Sequence, residues 1–292
     1  MDDLVRELNV LRLDCNHSRI GDGGDGQSQE NERQLVDTIE RYARTVLSIT
    51  WDQEMVITND EFKTKNSEAV MNSIIYLLDG IGQLCDELDT NGHCDQQLSS
   101  DRPFQDNTKC VGLGVTDYTA VKTLLGIDIC ECLLWRKAAL LYAFCNSKLN
   151  AGIKFVDNTV VVEDNSDLRD EETRHKLLQY LIDGIQWFRQ FLSQRQPFEV
   201  NSGAEMVPMT SSESLLTNNI FSDNHLLSLM YLSEMCVWYH NYSNHWRLYL
   251  YTGFDVEEWA KYCLRLYINS VDNHFNTIGW NCDKAKQLLT LF

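Results

Sequence analysis

Apolar residues recur at helical spacing along most of the chain, and two stripes in the first third are the clearest. The first stripe consists of Leu35, Ile39, Tyr42 and Val46. The second consists of Val70, Ile74, Leu77, Ile81, Leu84 and Leu88. Positions three and four residues apart share one side of an α-helix, so each stripe predicts an amphipathic helix. The first helix should begin near Arg33, and Asn66 or Ser67 can cap the second.

The stretch over residues 126–145, GIDICECLLWRKAALLYAFC, is apolar on nearly every side. A helix of that kind must be buried, and Thr116 is placed to cap it. Its charged residues are Asp128, Glu131, Arg136 and Lys137. Because an unpaired buried charge is costly, these charges must be paired, reach solvent over apolar neighbours, or face a partner.

Two further helices are predicted beyond residue 168. One runs from Arg169 to Gln194, and Pro197 lies just past its end. The other covers residues 223–239, where Ser222 is the expected cap.

The last part of the chain carries the clearest helix start. Asp255 and Glu258 have the spacing of a capping box, and Phe254 and Trp259 stand at the flanking hydrophobic-staple positions. A short C-terminal helix is expected to begin near Asn281.

The segments between these helices are polar or turn-rich. A linker is predicted over residues 16–32, and loops over residues 90–115 and 199–219. Lys154–Val156 and Thr159–Glu163 are instead β-prone and flank an Asp-Asn pair that suits a tight turn, which predicts a small hairpin.

Together these elements predict an all-α protein with a single multi-helix domain of about six or seven helices. The domain covers residues 34–292, after a flexible N-terminal segment at residues 1–33. Residues 150–168, which contain the possible hairpin, are expected to be an insertion between helices.

Composition narrows the range of partners. The 292 residues carry a net charge of −18, which argues against binding a nucleic-acid backbone or docking alone on an anionic membrane. The N-terminal MDDLVRELNV lacks the apolar core of a signal peptide, and no stretch is apolar enough to span a membrane. The ten cysteines are therefore expected to be reduced thiols in a cytoplasmic protein.

No motif in the chain predicts a metal or a cofactor. Gly112 and Gly114 lack the rest of a phosphate-binding loop, and GDGGDG at residues 21–26 lacks the Glu and flanking helices of an EF-hand. Cys130 and Cys132 would point to different sides of a helix, and His240 and His245 are five residues apart rather than four. Neither pair therefore has the shared helix face and the ligand spacing that a metal site needs.

No set of catalytic side chains is visible either. One enzyme alternative stays open, an all-helical magnesium-dependent prenyl-transfer enzyme, because acidic residues gather near two helix ends. They are Asp86, Glu87 and Asp89 at one end, and Asp272 beside Asn269 and Ser270 at the other. Neither group has the spacing of the aspartate-rich motif that holds magnesium in that class of enzyme.

Eight residues are candidates for contacting a protein partner, because tryptophan, tyrosine and arginine dominate binding energy at interfaces. They are Trp135, Arg136, Ile220, Phe221, His225, Trp238, Tyr242 and Trp246. Each has a plainer alternative. Trp135 and Arg136 can lie on a helix side that reaches solvent, and the aromatic run after residue 237 can be core packing. Phe221 can staple the next helix, and His225 can be a buried, hydrogen-bonded histidine.

Several blocks of the chain resemble one family. They are LLWRKAALLY within residues 126–145, IFSDNHLL at the start of residues 220–239, SITWDQEMVITNDEF within residues 42–78, YLIDGIQWFRQFL at residues 180–192 and NCDKAKQLLTLF at residues 281–292. In this order they resemble a metazoan family of helical proteins, the Rab-seven-interacting subunit of the Mon-one/Ccz-one complex. The resemblance runs from about residue 34 to the end and departs from the family at the N-terminal segment and at residues 150–168.

This resemblance implies a function that the residues alone do not name. The chain would be a non-catalytic accessory subunit of the Mon-one/Ccz-one guanine-nucleotide exchange complex, which activates the Rab-seven GTPase. Its partners would be Rab-seven and the complex, including the β-propeller-bearing subunit, with no nucleic acid and no direct membrane insertion. It would support Rab-seven recruitment and stability on late endosomes and damaged mitochondria. The alternative is an effector or chaperone that binds Rab-seven without the complex.

Overall fold

The computed structural model describes residues 25–89, 118–156, 159–163, 168, 170–194, 222–275 and 279–292. Within them are eight α-helices and one two-stranded sheet. The helices are α1 (Asp25–Asn59), α2 (Ser67–Asp89), α3 (Thr119–Leu125), α4 (Ile127–Leu149), α5 (Glu171–Ser193), α6 (Asp223–Trp246), α7 (Val256–Ser270) and α8 (Asp283–Leu289). The strands are β1 (Ile153–Val156) and β2 (Thr159–Val162). The predicted all-α class is confirmed, whereas the loops predicted over residues 90–115 and 199–219 lie outside the described residues.

Contacts divide the chain into two compact units, unit 1 at Met1–Leu133 and unit 2 at Leu134–Phe292. The boundary falls inside α4. The predicted division into a flexible segment at residues 1–33 and one helical domain at residues 34–292 stays a prediction.

In unit 1, α1 and α2 pack against each other along the predicted stripes. Ile39 and Val46 of α1 and Ile74 and Ile81 of α2 are fully buried. Between the helices, Phe62 has a left-handed backbone with φ 56°. Its buried side chain offsets that strain, since a bulky residue rarely adopts this conformation without compensation.

The first helix begins earlier than expected. The composition of residues 16–32 indicated a linker and a helix start near Arg33, but α1 already begins at Asp25. The segment QSQENER consists mainly of residues that propagate a helix well once it has started. The correction applies to residues 25–33, and the rest of the predicted linker lies outside the described residues.

A helix break separates α3 from α4. Gly126 has φ 86°, a conformation that glycine adopts without the steric cost of a Cβ, and its N–H donates to the Lys122 carbonyl at 3.2 Å. The prediction of a single helix after Thr116 is therefore wrong, and the break brings the number of α-helices in the described residues to eight. Thr116 itself lies outside the described residues. The Tyr118 hydroxyl, just before α3, donates to the Asp79 carboxylate of α2 at 3.2 Å.

The predicted hairpin is present. β1 and β2 pair antiparallel, with Val156 opposite Thr159, so two residues connect the strands. The backbone N–H of Glu163 donates to the carbonyl of Gly152 at 2.8 Å, which closes the open end of the hairpin.

In unit 2, α6 packs against both α5 and α7. Glycine at position 184 allows α6 to approach α5 closely, because a Cβ there would come within 3.0 Å of the sulfur of Met235. The predicted start of α7 is confirmed, since Asp255 accepts a hydrogen bond from the Glu258 N–H at 3.0 Å. Asp170 caps α5 in the same way through the N–H of Thr173 at 2.8 Å.

The seven cysteines within the described residues are free thiols, and all except Cys132 are buried. Burial raises the pKa of the Cys263 thiol to about 12, so this thiol stays protonated. In the described part of the chain, the helices are too short or too polar to cross a lipid bilayer.

Candidate functional site

The candidate site centres on Trp135, which α4 places against α5 and α6. The indole is half-buried. Its ring centroid lies 5.9 Å from that of Phe188 and 5.8 Å from that of Phe191, both on α5. On the α6 side it stacks at 6.2 Å on Tyr231. Trp135, in the part of α4 that belongs to unit 2, thus contacts both α5 and α6 and keeps part of its side chain exposed.

A stack of aromatic rings continues from Trp135 along the seam between α4 and α6. Tyr231 stacks on Tyr142 with centroids 3.9 Å apart, and Tyr142 stacks on Trp238 at 5.4 Å. We call Trp135, Tyr231, Tyr142 and Trp238 the aromatic row. Trp238 is buried, and the other three are half-buried.

The spacing of these residues explains the stack. Trp135 and Tyr142 are seven residues apart on α4, and Tyr231 and Trp238 are seven apart on α6. Seven residues are close to two helical turns, so each pair lies on one side of its helix and the two pairs interleave. Tyr142 and Tyr231 were missed by the sequence interpretation, and this shared spacing was the signal that could have found them.

A buried carboxylate lies beside the aromatic row. Glu234 of α6 accepts a hydrogen bond from the Tyr142 hydroxyl at 2.8 Å. It also forms an ion pair with Lys284 of α8 at 2.8 Å. Burial, and secondly the Glu234 charge, raise the pKa of the Tyr142 hydroxyl far above its usual range. Tyr142 therefore stays a neutral hydrogen-bond donor, which suits a structural role rather than proton transfer.

Two of the charges in the apolar stretch are deeply buried. Arg136 is almost fully buried and Lys137 is completely buried, so the interpretation that they reach solvent is wrong. The Lys137 ammonium lies 4.1 Å from the ring centroid of Trp187. A cation over a tryptophan face regains part of the cost of leaving water, and both charged side chains have further interaction partners. In this structure the Arg136 side chain is therefore part of the core.

His225 is also buried, in the first turn of α6. Its Nδ1 lies 2.8 Å from the Ser222 hydroxyl, and its ring lies 4.7 Å from Phe191. Ser222 stands at the predicted cap position, but its side chain makes no hydrogen bond to the helix backbone. Ile220 and Phe221, the two candidate residues just before it, lie outside the described residues.

Tyr242 and Trp246 anchor the C-terminal half of α6. Tyr242 is fully buried, and its hydroxyl donates to the carbonyl of Leu149 at 2.8 Å. The ring of Trp246 packs against that of Tyr242 in a tilted arrangement, with centroids 4.7 Å apart, and the Arg174 guanidinium lies 5.5 Å from the Trp246 ring centroid. These contacts of Tyr242 and Trp246 are core packing, whereas Tyr249 and Tyr251, later in the aromatic run, are exposed. Whether any of the eight candidate residues contacts a partner stays a prediction.

An arginine lies between the two residues at the predicted staple positions of α7. The Arg189 guanidinium carbon is 4.3 Å from the ring centroid of Phe254 and 4.3 Å from that of Trp259. The two rings thus hold a cation between α5 and the start of α7. Desolvation lowers the pKa of Arg189, and stacking between two aromatic faces offsets part of that cost.

The residues weighed as metal ligands have other contacts. His240 lies 3.1 Å from the Glu257 carboxylate, and Asp272 forms an ion pair with Lys286 at 3.0 Å. Among the residues that the structure describes, no three His, Cys, Asp or Glu side chains lie close enough together to hold a metal ion.

Known proteins with similar sequences carry one common description. The model of the family described as RAB7A-interacting MON1-CCZ1 complex subunit 1 matches residues 114–292, more than half of the chain. A human relative with that name is 26% identical over 270 residues, covering 87% of this chain and 77% of the relative. A mouse relative is 30% identical over 184 residues, covering 58% and 57%. A zebrafish relative is 23% identical over 300 residues, covering 99% and 88%. No solved structure matches.

Proposed function

Because the chain belongs to the family of the RAB7A-interacting MON1-CCZ1 complex subunit 1, we propose that it is a subunit that works in the MON1-CCZ1 and RAB7A system. The matched region, residues 114–292, contains the whole aromatic row and the buried carboxylate beside it. The sequence resemblance and the comparisons support the same family. This agreement is the main support for the proposed role.

The proposed role is non-catalytic, with nucleotide exchange carried out by the other subunits. The polar groups around the aromatic row support this role, because they already bind one another. Tyr142 donates to Glu234, Glu234 also pairs with Lys284, and an enzyme would instead need such groups to converge on a substrate. Magnesium-dependent turnover of a prenyl diphosphate by the purified chain would contradict this part of the proposal.

The surface proposed for assembly is the exposed edge of the aromatic row. Trp135, Tyr231 and Tyr142 keep part of each ring exposed, and their stacking holds those rings in fixed positions. Rigid tyrosine and tryptophan side chains lose little entropy on binding and are frequent hot spots. The partner at this edge is proposed to be the β-propeller-bearing subunit, and the cellular sites are late endosomes and damaged mitochondria.

Reconstitution tests both the role and the surface. The purified chain is mixed with the MON1-CCZ1 complex, with and without RAB7A, and co-elution on gel filtration and the rate of nucleotide exchange are measured. Tyr231→Ala should weaken co-elution by about 30-fold, the usual loss at a hot spot, while Tyr231→Phe keeps the ring and should restore assembly. Tyr76→Ala, an exposed tyrosine in unit 1, is the matched control and should assemble normally.

Three results would contradict the proposal. Normal assembly of Tyr231→Ala, with its fold intact by circular dichroism, would remove the aromatic row as the contact surface. A chain that binds isolated RAB7A but never co-elutes with the complex would instead be a separate effector or chaperone. Failure of the wild-type chain to bind either partner would reject both roles.

A further inference from the structure

The solvent side of α1 changes character halfway along the helix. Its exposed positions recur at helical spacing, and the earlier ones, Arg41, Arg44 and Ser48, are polar. The later ones are Trp51, Asp52, Met55, Val56 and Asn59. The opposite side is buried through Ile39, Ala43, Val46 and Ile57. A helix that already buries one side is expected to be polar on the other, so the apolar residues after residue 50 need a separate reason.

These apolar side chains form one surface. Trp51 is 52% exposed, Met55 40% and Val56 69%. Trp51 and Met55 are four residues apart and therefore adjacent along the helix, and Val56 lies in the neighbouring row, four residues after Asp52. We call these three residues the apolar face. Single exposed apolar residues are ordinary on protein surfaces, whereas a contiguous group on a regular helix marks an interaction site.

The surroundings of the apolar face are acidic. Residues 51–65, WDQEMVITNDEFKTK, contain four carboxylates and two lysines, and Lys63 forms an ion pair with Glu61, so the segment stays acidic on balance. Asp52 is exposed on the same side of the helix as the apolar face. Asp60 accepts hydrogen bonds from the Thr64 side chain and backbone, and these hold its pKa below the usual range, so it carries a charge at neutral pH. The net charge of the whole chain, −18, has the same sign.

The negative charge around the apolar face favours one kind of binding partner over the others. An anionic membrane or a nucleic acid would be repelled by the carboxylates. A second copy of the chain would bring the same acidic surroundings against each other. A positively charged partner gains from both the apolar contact and the charge.

We propose that the apolar face binds an amphipathic helix of a partner protein whose aliphatic stripe is flanked by Lys or Arg. A helix of that kind would lay its stripe along Trp51, Met55 and Val56, and its cations would reach Asp52 and the carboxylates nearby. This surface lies in unit 1, on residues before the stretch matched by the family model. The proposal therefore does not depend on the aromatic row or on its partner.

The test measures binding of a synthetic helix by fluorescence anisotropy at physiological salt. The probe is a fluorescein-labelled peptide of about 18 residues, long enough to form a helix on binding, with leucines at helical spacing and lysines beside them. A second peptide has glutamates in place of the lysines. The wild-type chain should bind the lysine peptide, more weakly as salt rises, and should not bind the glutamate peptide.

Variants locate the binding site. Replacing Trp51, Met55 and Val56 together by alanine should weaken binding by at least about tenfold, because a central aromatic usually dominates such a contact. Asp52→Lys should weaken it several-fold and flatten its salt dependence. Asp37→Lys changes the charge equally at an exposed position more than three turns away on the same helix, and should change affinity by less than about twofold. Val56→Lys provides the same test through one exposed residue if the triple variant does not fold.

Other outcomes would overturn the proposal. These are absence of binding by the wild-type chain, equal binding of the two peptides, or unchanged binding by the triple variant and Val56→Lys. A wild-type dimer on gel filtration that the triple variant abolishes would assign the apolar face to a second copy. Because assembly with the MON1-CCZ1 complex is measured separately, either proposal can fail while the other holds.

Discussion

The aromatic row of unit 2 and two aromatic residues on the helices of unit 1 lie in opposite settings. In unit 2, the rings of the aromatic row stack on one another, and the Tyr142 hydroxyl is bonded inside the unit to Glu234. In unit 1, Trp51 and Tyr76 lie on regular helices with more than half of each side chain exposed. Aromatic density alone therefore does not identify a contact surface. A group of exposed apolar residues on a helix whose opposite side is buried is the more specific signal, because the core side of that helix is already packed.

Removing one aromatic ring from each setting should give the largest difference in the free energy of unfolding. Phe188→Ala deletes a fully buried ring that packs on Trp135, and the transfer and cavity costs should lower the free energy of unfolding by about 3–5 kcal/mol. Trp51→Ala should change it by less than about 1 kcal/mol, as is usual for exposed positions. Urea unfolding followed by far-UV circular dichroism measures both. Similar losses in the two variants would place Trp51 in a core.

Periodicity in the sequence was sufficient for much of the fold. The stripes of α1 and α2 and the cap of α7 could be predicted because each depends on residues close together along the chain. The break at Gly126 could not, since a single glycine near an apolar run is also compatible with a continuous helix. The helix start at Asp25 was missed because composition alone does not distinguish a polar helix from a linker.

The candidate site was harder to predict for a different reason. α4 and α6 are apolar on nearly every side, so their sequences do not show which side faces which neighbour. Trp135 was a candidate for partner contact, a prediction that stays untested, and its stacking partner Tyr231 was missed because that contact depends on how the two helices interleave. The burial of Arg136 and Lys137 depends likewise on neighbours far along the chain, such as Trp187.

Removing the cation or the charge of the ion pair between Glu234 and Lys284 should change the free energy of unfolding by different amounts. The Glu234 side chain is 4% exposed, whereas that of Lys284 is 56% exposed. Lys284→Met would leave the buried carboxylate with the Tyr142 hydroxyl and without its cation, and should cost about 2 kcal/mol. Glu234→Gln keeps an acceptor for Tyr142, and its unpaired lysine can return to water, so it should cost about 1 kcal/mol or less.

Thermal and urea unfolding of the two variants, beside the wild type, measure this difference. Lys261→Met is a suitable control because this lysine also pairs with glutamates, Glu257 and Glu258, but on one helix near the surface. It should cost less than Lys284→Met. A larger loss for Glu234→Gln than for Lys284→Met would mean that the ion pair, rather than the buried charge, dominates at this position.

Two capping carboxylates, one in each unit, should add a small amount of stability that is lost when the pH is lowered. Hydrogen bonds from Thr173, first from its side chain, lower the pKa of Asp170 in unit 2, and those from Thr64 lower the pKa of Asp60 in unit 1. A carboxyl whose folded-state pKa lies below its unfolded value adds stability that is present above the unfolded pKa, about 3.9. That stability is lost as the pH falls through the folded-state pKa.

Asp170→Asn and Asp60→Asn should therefore lower the melting temperature slightly at neutral pH, and the difference from wild type should disappear in the acid range. Calorimetric melting temperatures of the two variants and of Asp37→Asn, an exposed control on α1, measure this convergence. Curves for Asp170→Asn that stay parallel to wild type below about pH 4 would mean that the capping charge adds no stability to unit 2.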